Sequence, residues 1–155
     1  MQYNSNIEFI TNAVHRYSDM VIRIAFGYTR NIPDSEDIMQ EVFLSLLSVP
    51  LFFSGESHLK AWLIRVAINK CKNHLKSAKR KQMLPLSAAE YRLTESAEKL
   101  LDQLDALPPK DRTIVYLFYY EGYTAKEIAV MTDSKEKAVL MRLSRARAKL
   151  KNILE

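Results

Sequence analysis

Glycine is scarce in this sequence. Only three of the 155 residues are glycine, and turn signals do not recur at a regular short spacing. An all-β fold needs many tight turns, so this scarcity argues against one. Stretches rich in Leu, Ala, Lys, Glu and Arg are present instead, and these residues favour helices. The sequence therefore predicts an all-α fold, and its 48% hydrophobic content is sufficient for one packed domain or two small ones.

Cysteine and histidine are also rare. Cys71 is the single cysteine, which excludes an internal disulfide, and the three histidines show no metal-ligand spacing beside it. The chain also lacks a glycine-rich phosphate loop, an HExxH motif and a nucleophile elbow. We therefore expect no metal site, no cofactor and no catalytic activity.

A long apolar run is missing as well. The longest candidate covers residues 42–53, is too short for a bilayer and is interrupted by Ser45, Ser48 and Pro50. The first six residues are polar and carry no basic run ahead of an apolar segment, unlike a secretory signal. We expect a cytoplasmic protein without membrane insertion.

Acidic residues are absent from residues 57–89, which contain eight Lys and Arg. A second basic segment, residues 135–151, has seven Lys and Arg against one acid. In a chain of formal net charge +5, two separated basic segments indicate two contacts with a polyanion. A membrane surface is the alternative, but neither segment shows the aromatic and basic pattern of an interfacial anchor.

Hydrophobic periodicity predicts three helices in the first half of the chain, at about residues 7–28, 35–48 and 57–79. Asp34 is expected to cap the second helix, and Ser57 the third. Periodicity weakens between residues 82 and 96, where we place a short linker. The predicted domains are therefore residues 5–81 and 97–155.

The second half of the chain predicts a helix-turn-helix at residues 124–144. After helices that end at Pro108 and near Gly122, the segment Thr124-Ala-Lys-Glu127 forms a capping box that opens a short helix. A three-residue break precedes a basic last helix over residues 135–154. Its inner face is expected to consist of Val139, Leu143, Ala146 and Leu150.

One face of the predicted third helix is basic. At 100° per residue, its cations and one amide fall within about 40° of Arg65, and Trp62 lies roughly 60° away. Cations for phosphates and a ring for stacking suit single-stranded or distorted nucleic acid. For Trp62, a place in the core is an equal alternative. The other members of this face are Asn69, Lys72, Lys76 and Lys79.

The second helix carries an acidic face instead. Asp37, Gln40, Glu41 and Leu44 point away from the predicted core side, which includes Leu46 and Leu47. Such a face repels DNA and suits a protein partner with basic side chains. An ordinary solvated helix face is the alternative.

Several motifs carry a family resemblance. "DSEDIMQEVFLSLL", "HLKAWLIRVAINKCKNHLK", "LDALPPKDRTIVYLFYYEGYTAKEIAVM" and "RLSRARAKLK" occur in this order, and the chain resembles the extracytoplasmic-function (ECF, group 4) sigma factors of bacterial RNA polymerase. The resemblance implies a promoter-melting domain (region 2) and a helix-turn-helix domain (region 4). It also implies a protein that is monomeric when free. The partners that it implies are core RNA polymerase, through the clamp helices of the largest catalytic subunit and through the second-largest subunit, promoter DNA, and an anti-sigma factor.

The resemblance also implies site residues. Asp37, Gln40, Glu41 and Leu44 would bind core polymerase. The −10 element would be bound, and one of its bases captured, by Phe53, Ser57, Leu59, Lys60, Trp62, Arg65, Asn69, Lys72 and Lys76. The −35 element would be bound in the major groove by Thr124, Lys135, Lys137, Ala138, Met141, Arg142 and Arg145.

The second half departs from the family pattern at two places. Thr132, Asp133 and Ser134 replace the usual Leu-Gly-apolar turn, and we expect the turn to survive because Asp tolerates a left-handed conformation. Leu140 and Met141 stand where small or basic residues are usual. Three interpretations of Met141 stay open: contact with a thymine methyl, contact with an anti-sigma factor, or plain exposure.

Two other functions compete with a promoter-specificity subunit. A free-standing helix-turn-helix repressor or activator would bind duplex operators without polymerase, usually as a dimer. A nuclease would need metal-binding carboxylates that converge in a basic cleft. The acids of the second helix diverge around that helix, which disfavours a nuclease.

Overall fold

The computed structural model describes residues 2–49, 53–80 and 104–154, and contacts divide the chain into two compact units, residues 1–92 and 93–155. All regular secondary structure in the described ranges is helical, which confirms the all-α prediction of two helical domains. The predicted linker, residues 82–96, lies outside the described residues.

The N-terminal unit contains α1 (Gln2–Thr29), α2 (Ile32–Leu44), a 3₁₀ turn (Ser45–Ser48) and α3 (Glu56–Arg80). The C-terminal unit contains a 3₁₀ turn (Leu104–Ala106), α4 (Pro109–Val115), a π turn (Tyr116–Tyr120), α5 (Ala125–Met131) and α6 (Glu136–Leu154).

The three helices of the N-terminal unit pack against one another around an aliphatic core. Ile24 of α1, Ile38 of α2 and Leu63 of α3 are fully buried there. Cys71 lies in the same core, and burial raises the pKa of its thiol to about 12. A thiol that stays protonated is a packing residue rather than a nucleophile.

The start of α2 differs from the prediction. Asn31 is the N-cap: its backbone is extended, and its side-chain oxygen accepts a hydrogen bond of 2.9 Å from the Asp34 N–H. Asp34 is therefore the third helical residue and instead pairs with His74 of α3, at 3.3 Å. The prediction of Asp34 as the cap is wrong because Pro33 fits the first turn of a helix, which lets α2 begin ahead of it.

Two further predictions on the N-terminal unit are wrong. Leu47 is 64% exposed, although it was expected on the core side. The chain tightens to 3₁₀ geometry at Ser45–Ser48, and three residues per turn rotate the side chains away from the α-helical phase. Ser57 does not cap α3, because the helix already begins at Glu56.

The C-terminal unit contains the predicted helix-turn-helix. The capping box is confirmed: the Glu127 N–H donates to Thr124 Oγ1 at 3.1 Å, and the Thr124 N–H donates to Glu127 Oε1 at 3.0 Å. Asp133 adopts a left-handed conformation with φ of 53°, so the expected tolerance of the turn is also confirmed. The predicted inner face of α6 is buried at Val139, Leu143, Ala146 and Leu150. Of the helix predicted to end at Pro108, the described residues form only the 3₁₀ turn Leu104–Ala106.

Candidate protein and nucleic-acid interfaces

The outer face of α2 carries the four residues expected to bind polymerase. Asp37, Gln40, Glu41 and Leu44 are all exposed, and the Leu44 side chain is 60% exposed. Buried Ile38, Val42 and Phe43 hold the opposite side of the helix. We call the four exposed residues the α2 face.

An apolar groove runs beside the α2 face, between α1 and α2. It has a volume of about 470 Å³ and shares Gln40 and Leu44 with the α2 face. The sequence pattern missed this groove because Leu47 was assigned to the core. The other residues that line it are Ile7, Ile10, Thr11, Val14, Met39, Phe43 and Leu47.

The cationic face of α3 lies opposite the buried side of that helix. Arg65, Asn69 and Lys76 are exposed, and Lys60 and Lys72 are half-buried. We call Arg65, Asn69, Lys72 and Lys76 the α3 basic face; Lys60 lies about 140° from Arg65 around the helix and is not part of it. Lys79 belongs to the predicted stripe, but its side chain lies outside those that the structure describes.

Trp62 belongs to an aromatic cluster at the edge of this basic face. Its ring meets that of Phe53 edge to face, with centroids 5.6 Å apart. Phe53 also contacts His58 at 5.1 Å and stacks on Phe9 of α1 at 6.1 Å. Trp62 is half-buried, so it is neither a core residue nor a free ring. We call Phe9, Phe53, His58 and Trp62 the aromatic cluster.

Leu59 is placed differently from the other residues expected at the −10 element. Its side chain is only 4% exposed and lies one turn ahead of buried Leu63 on the core side of α3. Little of the Leu59 side chain is therefore accessible, and what is accessible lines a cavity between α1 and α3. Ser57, in contrast, is exposed near the start of α3.

Glu56 connects the beginning of α3 to α1. The Tyr17 hydroxyl donates to Glu56 Oε2 at 2.5 Å, and Arg16 Nη1 lies 2.9 Å from Glu56 Oε1. The hydrogen bond from Tyr17, followed by that from Arg16, lowers the pKa of Glu56. Burial, and then the bond to Glu56, raises the pKa of the Tyr17 hydroxyl.

A cavity of about 480 Å³ lies beside this connection, close to the aromatic cluster. Its walls combine apolar Phe9 and Leu59 with polar Asn12, Arg16 and Glu56. The sequence did not predict this cavity, because its wall residues come from α1 and from the start of α3. These two segments are about 40 positions apart in the chain, as the contact between Tyr17 and Glu56 illustrates. Nothing in either segment alone indicates their contact.

On the helix-turn-helix, the residues expected at the −35 element divide into two groups. Lys135, Lys137, Met141 and Arg145 are exposed, and Ala138 is half-buried. The Met141 side chain is 55% exposed. Thr124 is exposed and holds the capping box together.

Arg142 forms the second group, and its placement differs from the expectation. It lies 2.5 Å from the buried carboxylate of Asp111 on α4, and its side chain is 30% exposed. A guanidinium bonded to a buried carboxylate fixes α6 on α4 and is not a free phosphate ligand. Arg147 is also engaged, because its Nε donates to the Tyr119 hydroxyl at 2.6 Å.

The described residues contain no group of three or more His, Cys, Asp and Glu side chains that could hold a metal. In the same part of the chain, no helix is long and apolar enough to cross a membrane.

Two family models match the chain in order. The Sigma-70 region 2 model matches residues 13–81, and the Sigma-70, region 4 model matches residues 97–150. The ECF RNA polymerase sigma factor SigM of Mycobacterium tuberculosis is 28% identical over 144 residues, which cover 90% of this chain and 74% of SigM. The sigma factor SigV of Bacillus subtilis is 28% identical over 80% of this chain and 78% of SigV. The probable sigma factor RfaY of Xanthomonas campestris is 29% identical over 86% of this chain, which spans 37% of RfaY.

Solved structures show the same fold. The sigma factor RpoE of Bartonella quintana, in complex with the anti-sigma factor NepR, matches with a TM-score of 0.69 at 18% identity over 93% of this chain and 95% of RpoE. CnrH, in complex with the cytosolic domain of CnrY, matches with a TM-score of 0.60 at 22% identity over 94% of this chain and 86% of CnrH. These structures show the fold, and the two family models together with the ECF relatives show the family: the chain belongs to the sigma-70 family of RNA polymerase sigma factors, in its extracytoplasmic-function group.

Proposed function

We propose that this protein directs core RNA polymerase to specific promoters by binding the −10 and −35 elements, and that it helps to melt the DNA at the −10 element. It acts in the cytoplasm, is monomeric when free and has no catalytic activity of its own. The observation that carries the proposal is the separation of charge on the N-terminal unit. The α2 face is acidic and suits a protein partner, while the α3 basic face contains no acid and suits nucleic acid.

Core polymerase is the partner proposed for the α2 face. Asp37 and Glu41 provide charge for basic side chains of the clamp helices, and Leu44 provides an apolar contact. The neighbouring groove extends this surface with Ile7 and Leu47, both exposed. An apolar centre with a polar rim is the usual anatomy of a protein interface. The second-largest subunit is the further contact that the family resemblance implies.

Single-stranded −10 DNA is the partner proposed for the α3 basic face. Arg65 and Lys76 contact phosphates, Asn69 offers an amide to a base edge, and Trp62 offers a ring for stacking. Extrusion of a base costs a few kcal/mol, which these contacts must repay. The chain from Phe53 to Ser57 is held in place for this role by the aromatic cluster and by Glu56. Leu59 supports that segment from inside the core.

Duplex −35 DNA is the partner proposed for the helix-turn-helix. The first residues of α6 enter the major groove, as recognition helices do. An anti-sigma factor is a further proposed partner, because the structurally similar RpoE was solved in complex with the anti-sigma factor NepR.

Co-elution with core polymerase tests the proposal. We expect the purified protein to form a stoichiometric complex with core enzyme and to protect a promoter fragment only as part of that complex. A failure to bind core enzyme contradicts the proposal. A footprint on duplex DNA by the protein alone favours the free-standing repressor or activator.

A further inference from the structure

We propose that the C-terminal unit reads part of its −35 element through the 5-methyl group of thymine, and that Met141 is the residue in contact with that group. This inference rests on the proposed function, because it specifies what the same helix-turn-helix recognises. It assigns a chemical role to Met141, which is 55% exposed.

The position of Met141 on α6 is set by the core. Val139, Leu143, Ala146 and Leu150 are buried and define the inner side of the helix. On a helical wheel with 100° per residue, Met141 points opposite to the mean direction of these four side chains, to within about 10°. Met141 therefore points straight out of the unit, in the direction from which a major groove must approach.

The side chains around Met141 on this outward line are cationic or small. Within about 60° of Met141 lie Lys137, Ser144, Arg145 and Ala148, all exposed, and half-buried Ala138. The first turns of α6, residues 136–145, contain no Asn or Gln, which read adenine, and Arg145 lies about 40° from Met141. Arg142 and Arg147 do not add to it, because they are bonded to Asp111 and to Tyr119.

Apolar contact with a base edge has a single natural target. Thymine alone among the four bases presents a methyl group in the major groove, where side chains such as Ala and the Thr methyl contact it. Methionine suits such a contact because its unbranched thioether adapts to irregular apolar surfaces. The centre of this face therefore favours thymine, while Lys137 and Arg145, about 40° to either side, can donate hydrogen bonds to a neighbouring base.

The charge around Met141 favours DNA over a protein as the occupant. Lys137 and Arg145 are exposed about 40° to either side of Met141, and Glu136 is the only acid on α6. Cations on both sides of a small apolar centre complement a phosphate-lined groove. A protein that covered Met141 would have to be strongly acidic.

Uracil substitution tests the inference directly, because it removes the methyl group and leaves the hydrogen-bonding edge intact. Random duplexes are first selected with the full holoenzyme to obtain the −35 element. Each thymine of that element is then replaced by uracil, one at a time, and holoenzyme binding is measured. We expect at least one replacement to lower affinity about fourfold, the loss typical of one buried methyl-sized group.

The Met141→Ala variant supplies the second arm of the experiment. Holoenzyme containing it should bind the thymine and uracil elements with nearly equal affinity. The matched control is Arg145→Ala, which should weaken binding to both elements and keep the difference between them. Binding to core polymerase is measured for every variant first, so that a failure of the proposed function is recognised separately.

Three results would overturn the inference. One is a selected −35 element at which no uracil replacement changes the affinity of the wild-type holoenzyme. Another is a thymine preference that persists in full with Met141→Ala. The third is a Met141→Ala protein that keeps its promoter affinity but loses binding to an acidic anti-sigma factor, which would assign this patch to a protein.

Discussion

Arg142 and Arg145 lie three positions apart on α6 and have different surroundings. Arg142 is half-buried and bonded to the buried carboxylate of Asp111, whereas Arg145 is exposed. The sequence alone presents both as cations of one basic segment. Their roles separate only when α4 is packed against α6, because Asp111 lies 31 residues away in the chain.

Arg142→Ala should therefore destabilise the C-terminal unit. The substitution leaves the Asp111 carboxylate buried without its guanidinium, which costs about 2 kcal/mol of unfolding free energy. Arg145→Ala is the matched control and should change stability by less than about 0.5 kcal/mol. Amide exchange of α4 and α6 residues during urea unfolding of the full chain measures both. Equal stability of the two variants would contradict a structural role for Arg142.

Glu56 should make the stability of the N-terminal unit depend on pH. Its pKa in the folded chain is lowered, chiefly by the Tyr17 hydroxyl, from an ordinary value of 4.5. The stability that ionised Glu56 contributes is therefore complete above the pKa that Glu56 has in the unfolded chain. It is lost as the pH falls through the lower pKa that Glu56 has in the folded chain. The melting temperature of Glu56→Gln should lie below that of the wild-type protein at pH 7, and the difference should shrink below pH about 4.5. A difference in melting temperature that stays constant from pH 7 to about 3 would contradict a stabilising interaction of ionised Glu56 with Tyr17.

At the scale of elements, α2 carries the proposed contact with polymerase. Asp37→Arg combined with Gln40→Ala should weaken binding to core polymerase at least about tenfold, because like charges at an interface cost several kcal/mol. Glu8→Arg is the control: it reverses another exposed acid of the same unit, on α1. Titration of labelled core enzyme measures both affinities. An equal loss of affinity for Glu8→Arg would show that net charge, and not the α2 face, causes the effect.

The elements also show which features the sequence could predict. The capping box at Thr124, the left-handed Asp133 and the inner stripe of α6 follow from local rules, and all are present. Local rules were wrong where two signals competed. Asn31 and Asp34 are both good caps, and Pro33 decided between them; the 3₁₀ turn after Leu44 rotated Leu47 outward.

The contacts between distant segments could not be predicted from pattern. The groove between α1 and α2, the Glu56 connection and the Asp111–Arg142 pair each join residues whose approach is set by helix packing. Periodicity identifies the face of a helix and gives no information on which neighbour lies against that face. The family resemblance came from the order of the motifs along the chain. The packing of the helices alone does not identify a family.

At the scale of the whole molecule, the two basic segments belong to different units, and we propose that both contact the same promoter DNA. We expect the binding of holoenzyme to promoter DNA to weaken steeply with salt, because each phosphate contact releases counterions. Substituting Lys76 and Arg65 by Ala should reduce the slope of log affinity against log salt by roughly two. The measurement is a filter-binding titration at several salt concentrations. A slope that does not change would contradict phosphate contact by the α3 basic face.

The central claim is that this chain gives core polymerase its choice of promoter. Sequencing the transcripts that core polymerase makes from a genomic template, with and without this protein, tests the claim most directly. We predict new transcript starts that share a two-part element upstream and that disappear with Asp37→Arg. A set of starts identical to that of core enzyme alone, under conditions in which the protein is bound to the polymerase, would contradict the account.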